Sequence, residues 1–363
     1  MGDRPLHADA TSTAARVRVL TAGRTDPGRV REHNEDQILL APELSLFVVA
    51  DGMGGHSTGD VASAMVGASM RNFFEATRAQ RLASDLPDDA ELEEPALRLA
   101  LAIRKANSDL FEISTSHKRH KGMGSTVVAA HVIGDAVHLA HVGDSRCYRI
   151  RNGRILQLTR DHSLVNEALL LRPDLSPEAL ARLPRNVVTR ALGMRETVKV
   201  DLQKLQAEAA DTLLLCSDGL SGMVDDETVL DVFSMTDNLD EACELLVTLA
   251  NENGGKDNIS VVLMRFEPVG EEPAPPSVWR NVSLQSLVGR RVVTESDDVV
   301  VATEEAFIED PLAELEGVLA QQDIERLQQG EMLELSVPKC RNCGTELLEG
   351  NAFCTECGTP IAE

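Results

Sequence analysis

The sequence STVVAAHVIGDAVHLAHVGDSRCYRI (residues 125–150) decides the fold class, because it predicts consecutive strands joined by a tight turn. The stretches STVVAAHV and AVHLAHVGDSRCYRI are short, rich in valine and bounded by turn residues, which is typical of strands. Between them, Gly134-Asp135 is a strong β-hairpin signal. Three further stretches predict strands in the same way: SLFVVAD (45–51), DTLLLCSD (211–218) and NISVVLMRF (258–266).

Helices are predicted in pairs between the groups of strands. Four longer segments carry alanine, leucine and charged residues at helical spacing: 57–80, 95–116, 225–235 and 238–252. The sequences DDET and NLDE place an Asp or Asn cap where the last two helices begin. Hairpins combined with paired helices favour an α+β fold in which helices cover antiparallel sheets. The same pattern disfavours a parallel βαβ sheet.

The chain divides by composition into four parts. We expect a flexible N-terminus (1–15), a main domain (16–267) and a small cysteine-rich module (339–363). Residues 268–338 begin with the proline-rich EPVGEEPAPPS and hold 15 Asp and Glu against 4 Arg and no Lys, a net charge of −11. This part is either a solvated acidic linker or a helical spacer that contacts another domain or a partner.

The overall charge excludes several classes of partner. The 363 residues include 59 Asp and Glu against 35 Lys and Arg, so the formal net charge is −24. Nucleic acids and anionic membranes are bound by clustered cations, so we expect neither as a partner. No apolar run reaches the ~20 residues of a membrane span, and the N-terminus lacks a secretory pattern. We therefore expect a cytoplasmic protein.

The last 24 residues contain a predicted zinc module. Two Cys-x2-Cys pairs, each followed by glycine, are separated by ten residues, and their cysteines are Cys340, Cys343, Cys354 and Cys357. Four thiolates satisfy the tetrahedral preference of Zn²⁺ completely, so we expect one structural zinc ion in a zinc ribbon. So short a segment cannot bury enough surface to fold alone, and metal binding would supply the missing free energy.

Acidic residues recur at the ends of the predicted strands or in adjoining turns. They are Glu35, Asp36, Asp51, Asp144, Asp218 and Asp257. Taken singly, each is more simply explained as a turn residue, but together they form a set that would repel itself without cations. A set composed only of carboxylates suits Mg²⁺ or Mn²⁺. Arg31 lies four residues before Glu35 and offers a planar group for phosphate oxygens, although a surface ion pair is the simpler explanation of it alone.

Seven motifs in fixed order resemble the PPM (PP2C-type) metal-dependent protein serine/threonine phosphatases, especially the bacterial branch. The match covers roughly residues 20–267, and the motifs are RVREHNEDQ, VVADGMGGH, GMGSTVVAA, HVGDSRCYRIRNG, LTRDHS, LLCSDGLSGMV and GGKDNISVVL. The resemblance implies a four-layer α-β-β-α sandwich of two antiparallel sheets. It also places the insert 160–195 where the family carries a variable flap beside the site.

The resemblance implies specific roles for the acidic residues. Asp51 would bridge two Mn²⁺ or Mg²⁺ ions, with the Gly52 carbonyl on the first ion. Asp218 and Asp257 would complete the second site. Asp144, with Asp218, matches the acids that hold a third, weaker ion in bacterial relatives.

The remaining motif residues would assist substrate and cations. Glu35 and Asp36 would act mostly through metal-bound waters, and Asn258 matches the asparagine beside the last metal aspartate. Arg31 would bind the substrate phosphate. Many eukaryotic relatives carry histidine at the position of Met53, where it is a candidate general acid, and His56 cannot be assigned that role from its proximity.

The function implied is hydrolysis of phosphoserine and phosphothreonine on proteins by a metal-activated bridging water, with no phosphoenzyme. The alternative is a phosphatase-like scaffold that binds phosphoproteins or partners through this domain and the zinc ribbon. The resemblance also implies a Ser/Thr protein kinase among the partners. We expect the zinc ribbon to recruit a protein or to pack on the main domain.

Overall fold

The computed structural model describes residues 17–54, 58–84, 86–180, 182–184 and 187–269. These residues belong to two compact units, one formed by 17–166 with 184–269 and the other by 167–183. The predicted flexible N-terminus, the acidic segment beyond Val269 and the four zinc-ribbon cysteines lie outside the described residues.

The larger unit contains two antiparallel sheets. The first has the order β1 (Val17–Asp26), β11 (Ile259–Pro268), β10 (Thr212–Cys216), β7 (Arg146–Arg151) and β8 (Arg154–Gln157). The second has the order β2 (Asp36–Ala41), β3 (Leu46–Met53), β5 (Val127–Ile133), β6 (Ala136–Val142) and β9 (Asp201–Gln206), and the short β4 (Gly124–Ser125) pairs with β3. Ile133 pairs with Ala136, which confirms the predicted hairpin at Gly134-Asp135.

The predicted helices are present. They are α1 (Gly59–Thr77), α2 (Glu94–Ser116), α6 (Asp226–Met235) and α7 (Leu239–Glu252), with the one-turn α5 (Asp218–Ser221) between β10 and α6. Both predicted caps are confirmed, because Asp225 accepts a hydrogen bond from the Thr228 amide and Asn238 accepts from the amide of Asp240. Among the helices that the structure describes, none is long and apolar enough to cross a membrane.

Alternating side chains place each sheet between two apolar layers. In β3, Leu46, Val48 and Ala50 pack in the core formed with α1 and α2, while Phe47 and Val49 pack in the core between the sheets. Successive side chains of a strand point to opposite faces, so a strand buried on both faces is continuously apolar. The other sheet covers its outer face with α6 and α7. The predicted α-β-β-α sandwich is therefore confirmed.

The stretch predicted as one strand at 136–150 is two strands in different sheets. β6 ends at Val142 in the second sheet, and β7 begins at Arg146 in the first. The chain turns at Gly143, whose φ is +111°, and a Cβ there would lie 2.5 Å from the Cβ of Thr126. Only glycine fits this turn, and the crossover that it permits carries Asp144 to the edge shared by both sheets.

The insert 160–195 contains two short helices, α3 (Leu164–Leu171) and α4 (Pro177–Leu180), as its proline-broken sequence predicts. Two isolated bridges involve its ends: Ser163 pairs with Val188, which joins the two ends of the insert, and Leu192 pairs with Ser125 of β4.

Candidate active site

Carboxylates from both sheets meet at one edge of the sandwich. Asp36 opens β2 directly opposite Asp51 in β3, and Asp218 follows β10 as the first residue of α5. Asp257 lies two residues before β11, and Asp144 lies in the crossover between β6 and β7. Strands and turns that are far apart in the sequence therefore bring together the acids that the sequence analysis identified.

Mutual repulsion shows that these carboxylates share one electrostatic environment. Burial, followed by the charges of Asp144, Asp257 and Asp36, raises the pKa of Asp218 well above its ordinary value. Burial and the charge of Asp161 raise the pKa of Asp144 to about 6. A set of this kind is stable in its ionised form only when cations neutralise it.

With Asp51, Asp36 is one of the two acids of the set whose residues are buried. Its side chain is buried, and burial raises its pKa to about 6, although hydrogen bonds from Ser260 and Ser217 oppose the shift. The Ser217 hydroxyl donates to Asp36 Oδ2 at 2.7 Å, and the Ser260 amide donates to Ser217 Oγ at 3.0 Å. Asp36 is therefore held in one orientation by residues at the adjoining ends of β10 and β11.

The donor set fits divalent cations that prefer oxygen. Oδ1 of Asp218 is buried and has no hydrogen-bond partner in the described part of the chain, so a favourable contact is missing at a strongly acidic position. A buried carboxylate oxygen without a partner costs free energy that a cation would recover. Oxygen donors from carboxylates and backbone carbonyls are the ligands of Mg²⁺ and Mn²⁺.

Backbone hydrogen bonds link Asp51 to the crossover that carries Asp144. The Asp51 amide donates to Thr126 Oγ1 at 3.2 Å, and the Thr126 amide donates to the Asp51 carbonyl at 2.8 Å. The hydroxyls of Thr126 and Ser145 are 2.7 Å apart. Thr126 thus ties two predicted metal-binding segments together, a role that neither motif revealed.

Glu35 connects the edge of the sheet to the beginning of α1. Its Oε1 accepts from the Gly59 amide at 3.2 Å, and its carbonyl accepts from the Gly52 amide at 3.1 Å. A Cβ at position 52 would lie 1.9 Å from the Gly59 carbonyl, so this close approach requires glycine. Burial raises the pKa of Glu35, while the contact with Gly59 opposes that change.

Asn258 uses both ends of its amide on neighbouring backbone. Its Oδ1 accepts from the Glu35 amide at 2.8 Å, and its Nδ2 donates to the carbonyls of Pro27 at 3.0 Å and His33 at 2.9 Å. The structure therefore places Asn258 as a clamp on the segment that carries Arg31 and Glu35.

Arg31 lies beside the carboxylate set and pairs with one of its members. Its Nη2 is 2.7 Å from Asp257 Oδ2, and the two side chains are 29% and 24% exposed. The guanidinium is therefore held at the rim of the cluster, where solvent reaches it.

Three residues that the sequence analysis did not assign form a second polar cluster. His141 and His162 stack with ring centroids 4.7 Å apart, and ligand atoms of these rings and of Asp201 lie within 4.8 Å of one another. His162 Nδ1 accepts from the Gly143 amide, so its other nitrogen carries the proton, and Arg190 pairs with Asp201 at 2.6 Å. These bonds favour a hydrogen-bonded support for the Gly143 turn over a metal site.

The position of the eukaryotic histidine is apolar here. Met53 is buried and packs with Val188 and Ala191. It offers no proton to a leaving group. His56, which the sequence left unassigned, lies outside the described residues.

The sandwich, with carboxylates gathered at one edge, defines a phosphatase class of protein, and the comparisons identify its family. The chain belongs to the protein phosphatase 2C family, whose model matches residues 29–258. Residues 339–361 match a zinc-ribbon domain, which the predicted cysteine pattern had indicated.

Bacterial phosphatases are similar to this chain over about two thirds of its length. The serine/threonine phosphatase stp of Listeria welshimeri is 40% identical over 245 residues, which cover 66% of this chain and 93% of that protein. The crystal structure of the serine/threonine phosphatase PstP/Ppp of Mycobacterium tuberculosis is 34% identical, with a TM-score of 0.59, and the match covers 69% of this chain and 99% of that one. A second structure, the PstP catalytic domain in complex with two manganese ions, has the same identity and coverage and a TM-score of 0.58.

Proposed function

We propose that this chain hydrolyses phosphoserine and phosphothreonine on proteins with the help of bound Mn²⁺ or Mg²⁺. The observation that carries the proposal is the group of carboxylates that raise one another's pKa at a single edge of a protein phosphatase 2C fold. The orphaned Oδ1 of Asp218 supports it, and a structural neighbour is described in complex with two manganese ions.

The family resemblance suggests which of these acids would hold the cations. We assign Asp51 and the Gly52 carbonyl to the first ion, with Asp51 shared between two ions, and Asp218 and Asp257 to the second. A third ion would use Asp144 and Asp218, which repel each other strongly in the chain without cations. When bound, the cations lower the pKa of a coordinated water toward neutrality and offset charge on the transferred phosphoryl group.

The protein's own contribution is to orient substrate and cations. Arg31, at the solvent-exposed rim, provides a planar donor pair for two phosphate oxygens. Glu35 and Asp36 are fixed by Gly59, Ser217 and Ser260, so they present acceptors in set directions to coordinated waters. Preorganised donors and acceptors of this kind stabilise transition-state charge without reorganisation.

Departure of the serine or threonine oxygen requires a proton. Met53 cannot provide one, and Asp36 and Asp144, whose pKa values burial raises, are among the residues proposed to hold the cations or their waters. We therefore assign proton delivery to solvent water at the rim.

Hydrolysis of p-nitrophenyl phosphate and of a phosphothreonine peptide tests this function. We expect turnover with Mn²⁺, loss of turnover on chelation, and loss in Asp51→Asn. Asp237→Asn, an exposed acid between α6 and α7, is the control and should keep full activity. A wild-type protein that binds phosphopeptide but never hydrolyses it with Mn²⁺ would favour the scaffold instead.

We further propose that the zinc-ribbon domain binds one structural Zn²⁺ through Cys340, Cys343, Cys354 and Cys357 and serves as a docking module. The substrates would include an autophosphorylated Ser/Thr kinase, as the family relationship suggests. Replacing Cys340 and Cys343 by serine should remove zinc and lower turnover of a phosphoprotein while leaving p-nitrophenyl phosphate turnover unchanged. Equal loss on both substrates would contradict a docking role.

A further inference from the structure

An exposed basic segment follows α2 and precedes β4. Residues 117–121 read His-Lys-Arg-His-Lys, and this is the only place in the sequence where three Lys or Arg fall within five residues. Lys118, Arg119 and Lys121 are exposed, and none of them forms an ion pair with another residue of the described ranges. So dense a cationic group is unusual in a chain of net charge −24. The described part of the chain provides no ion-pair partner that would neutralise it.

The basic segment lies next to the candidate active site. β4 pairs with the end of β3, so that Ser125 is opposite Gly52 and Gly124 is opposite Met53. Lys121 precedes Gly124 by three residues, which limits the separation of their Cα atoms to about 11 Å. Neighbouring strands lie about 5 Å apart, so the lysine is within reach of a chain bound over Asp51.

The backbone of this segment is held in place. The His120 amide donates to the His117 carbonyl at 2.9 Å, and the Met123 amide donates to the His120 carbonyl at 3.1 Å. Met123 is fully buried in the core formed with α1 and α2. The cationic side chains therefore project from a fixed turn, and binding to them would not require ordering of a loose loop.

The preference of helix ends for cations does not account for the segment. The last turn of α2 contains no basic residue, and the cations begin after the C-cap residue His117. Favourable interactions with the helix dipole fall off beyond the last turn.

We propose that this segment binds additional anionic groups of the substrate, namely second phosphates on a multiply phosphorylated polypeptide. The inference rests on the proposed phosphatase function and names the substrate class. An extended peptide advances about 3.3 Å per residue, so a phosphate three to six residues from the reacting one lies about 10–20 Å away. The Cα atom of Lys121 lies at most about 16 Å from the end of β3, because it is within about 11 Å of Gly124, which pairs with Met53. Lysine and arginine are the side chains that bind phosphate dianions.

The test compares three peptides that share one reacting phosphothreonine. One has neutral flanks, one carries a second phosphorylated residue, a phosphoserine four residues away, and one carries glutamate in place of that phosphoserine. We expect Lys118→Ala/Arg119→Ala/Lys121→Ala to lower kcat/KM for the doubly phosphorylated peptide about tenfold, mainly through KM, because three exposed cation contacts are lost. Turnover of the neutral peptide and of p-nitrophenyl phosphate should be unchanged.

A charge-matched variant separates a local effect from a general one. Arg78→Ala/Arg81→Ala/Arg154→Ala also removes three exposed cations. Arg78 follows α1, whose 19 residues span about 28 Å from the site at Gly59, and Arg154 lies at the far end of the β7–β8 hairpin. This control should keep the wild-type preference. An equal loss in both triple variants, or no preference of the wild type for the doubly phosphorylated peptide, would overturn the proposal.

A binding measurement keeps this proposal distinct from the proposed function. Fluorescence anisotropy of the doubly phosphorylated peptide on an Asp51→Asn background should show about tenfold weaker binding after removal of the three cations, and the difference should shrink between about 50 mM and 500 mM salt. If removal of the three cations weakens peptide binding but the wild type hydrolyses no substrate, the proposed function is wrong and the binding role of the basic segment is supported. Faster turnover of every substrate by the triple variant would show that the chain's own acidic segment occupies these cations, and would overturn the proposal.

Discussion

Nη2 of Arg31 lies 2.7 Å from Oδ2 of Asp257, so the residue proposed to bind phosphate contacts a residue proposed to bind a cation. The pair is partly exposed, and exposed ion pairs contribute only about 0–1 kcal/mol to folding. Its significance is positional, because Asp257 holds the Arg31 guanidinium at the solvent-exposed rim of the carboxylate cluster.

Removal of this guanidinium should impair catalysis without unfolding the protein. We expect Arg31→Ala to lower kcat/KM for a phosphopeptide about 100-fold, the usual effect of losing one preorganised donor to transition-state charge. The free energy of unfolding should change by less than about 1 kcal/mol. Arg29→Ala is the control, because Arg29 also forms an exposed pair, 3.6 Å from Glu252. Equal kinetic losses in both variants would show that Arg31 has no specific role.

Loss of the Asn258 clamp should affect both stability and cation affinity. Asn258→Ala removes three hydrogen bonds to the backbone of residues 27–35, and we expect a loss of about 2 kcal/mol in the free energy of unfolding. Mn²⁺ affinity should fall because the segment that carries Glu35 is released. Asn238→Ala, which removes the N-cap of α7, should cost about 1 kcal/mol and leave Mn²⁺ affinity unchanged. Unaltered Mn²⁺ binding by Asn258→Ala would contradict the clamp.

The crossover at Gly143 should tolerate no side chain. In Gly143→Ala the new Cβ meets Thr126 at 2.5 Å, and the positive φ adds backbone strain, so we expect a destabilisation of about 3 kcal/mol or more. Gly153→Ala also has a positive φ, but nothing lies within 4 Å of its Cβ. In that control the free energy of unfolding, measured with urea, should fall by only about 1 kcal/mol. Similar losses in the two variants would mean that the contact with Thr126 is easily relieved.

His162 should make stability depend on pH. Burial, reinforced by the neighbouring charge of Arg190, lowers its pKa to about 4, although the contact with Asp201 opposes the shift. The unfolded chain therefore binds more protons than the folded chain between about pH 6.5 and about pH 4, and stability is lost as pH falls through this window. From pH 7 to pH 5 we expect His162 to account for a loss of about 2 kcal/mol.

Comparison of variants isolates this titration from that of the carboxylates. His162→Gln should reduce the change in unfolding free energy between pH 7 and pH 5, whatever its cost at pH 7. Asn238→Ala, which lowers stability without removing a titratable group, should leave the change as it is in the wild type. An unchanged pH dependence in His162→Gln would show that the histidine is not held neutral.

The layers of the fold were predictable because apolar periodicity and turn chemistry are local properties. LFVVA (46–50) is apolar at every position since β3 is buried on both faces, and the Gly134-Asp135 pair has the turn that its sequence favours. The break at Gly143 was missed because the strand-like pattern continues through it. Only the contact with Thr126, a residue distant in sequence, shows why that glycine ends one strand and starts a crossover.

The motifs predict which side chains hold the cations, and those assignments stay predictions, whereas the contacts that support these side chains could not be predicted. Asp51, Asp218 and Asp257 stand at strand ends, where the sequence alone suggests ligands. The clamp by Asn258 and the support of Gly143 by His162 depend on partners that tertiary packing brings together. A sequence shows that such side chains are polar, and the fold decides which backbone groups they meet.

The central claim is that the carboxylate edge binds divalent cations through Asp51. Its most direct test is a calorimetric titration of metal-free protein with Mn²⁺, with Asp51→Asn compared with the wild type and with Asp237→Asn. We predict at least two Mn²⁺ per chain for the wild type and the control, and loss of binding at both sites in Asp51→Asn. A wild-type isotherm for folded Asp51→Asn would contradict the claim.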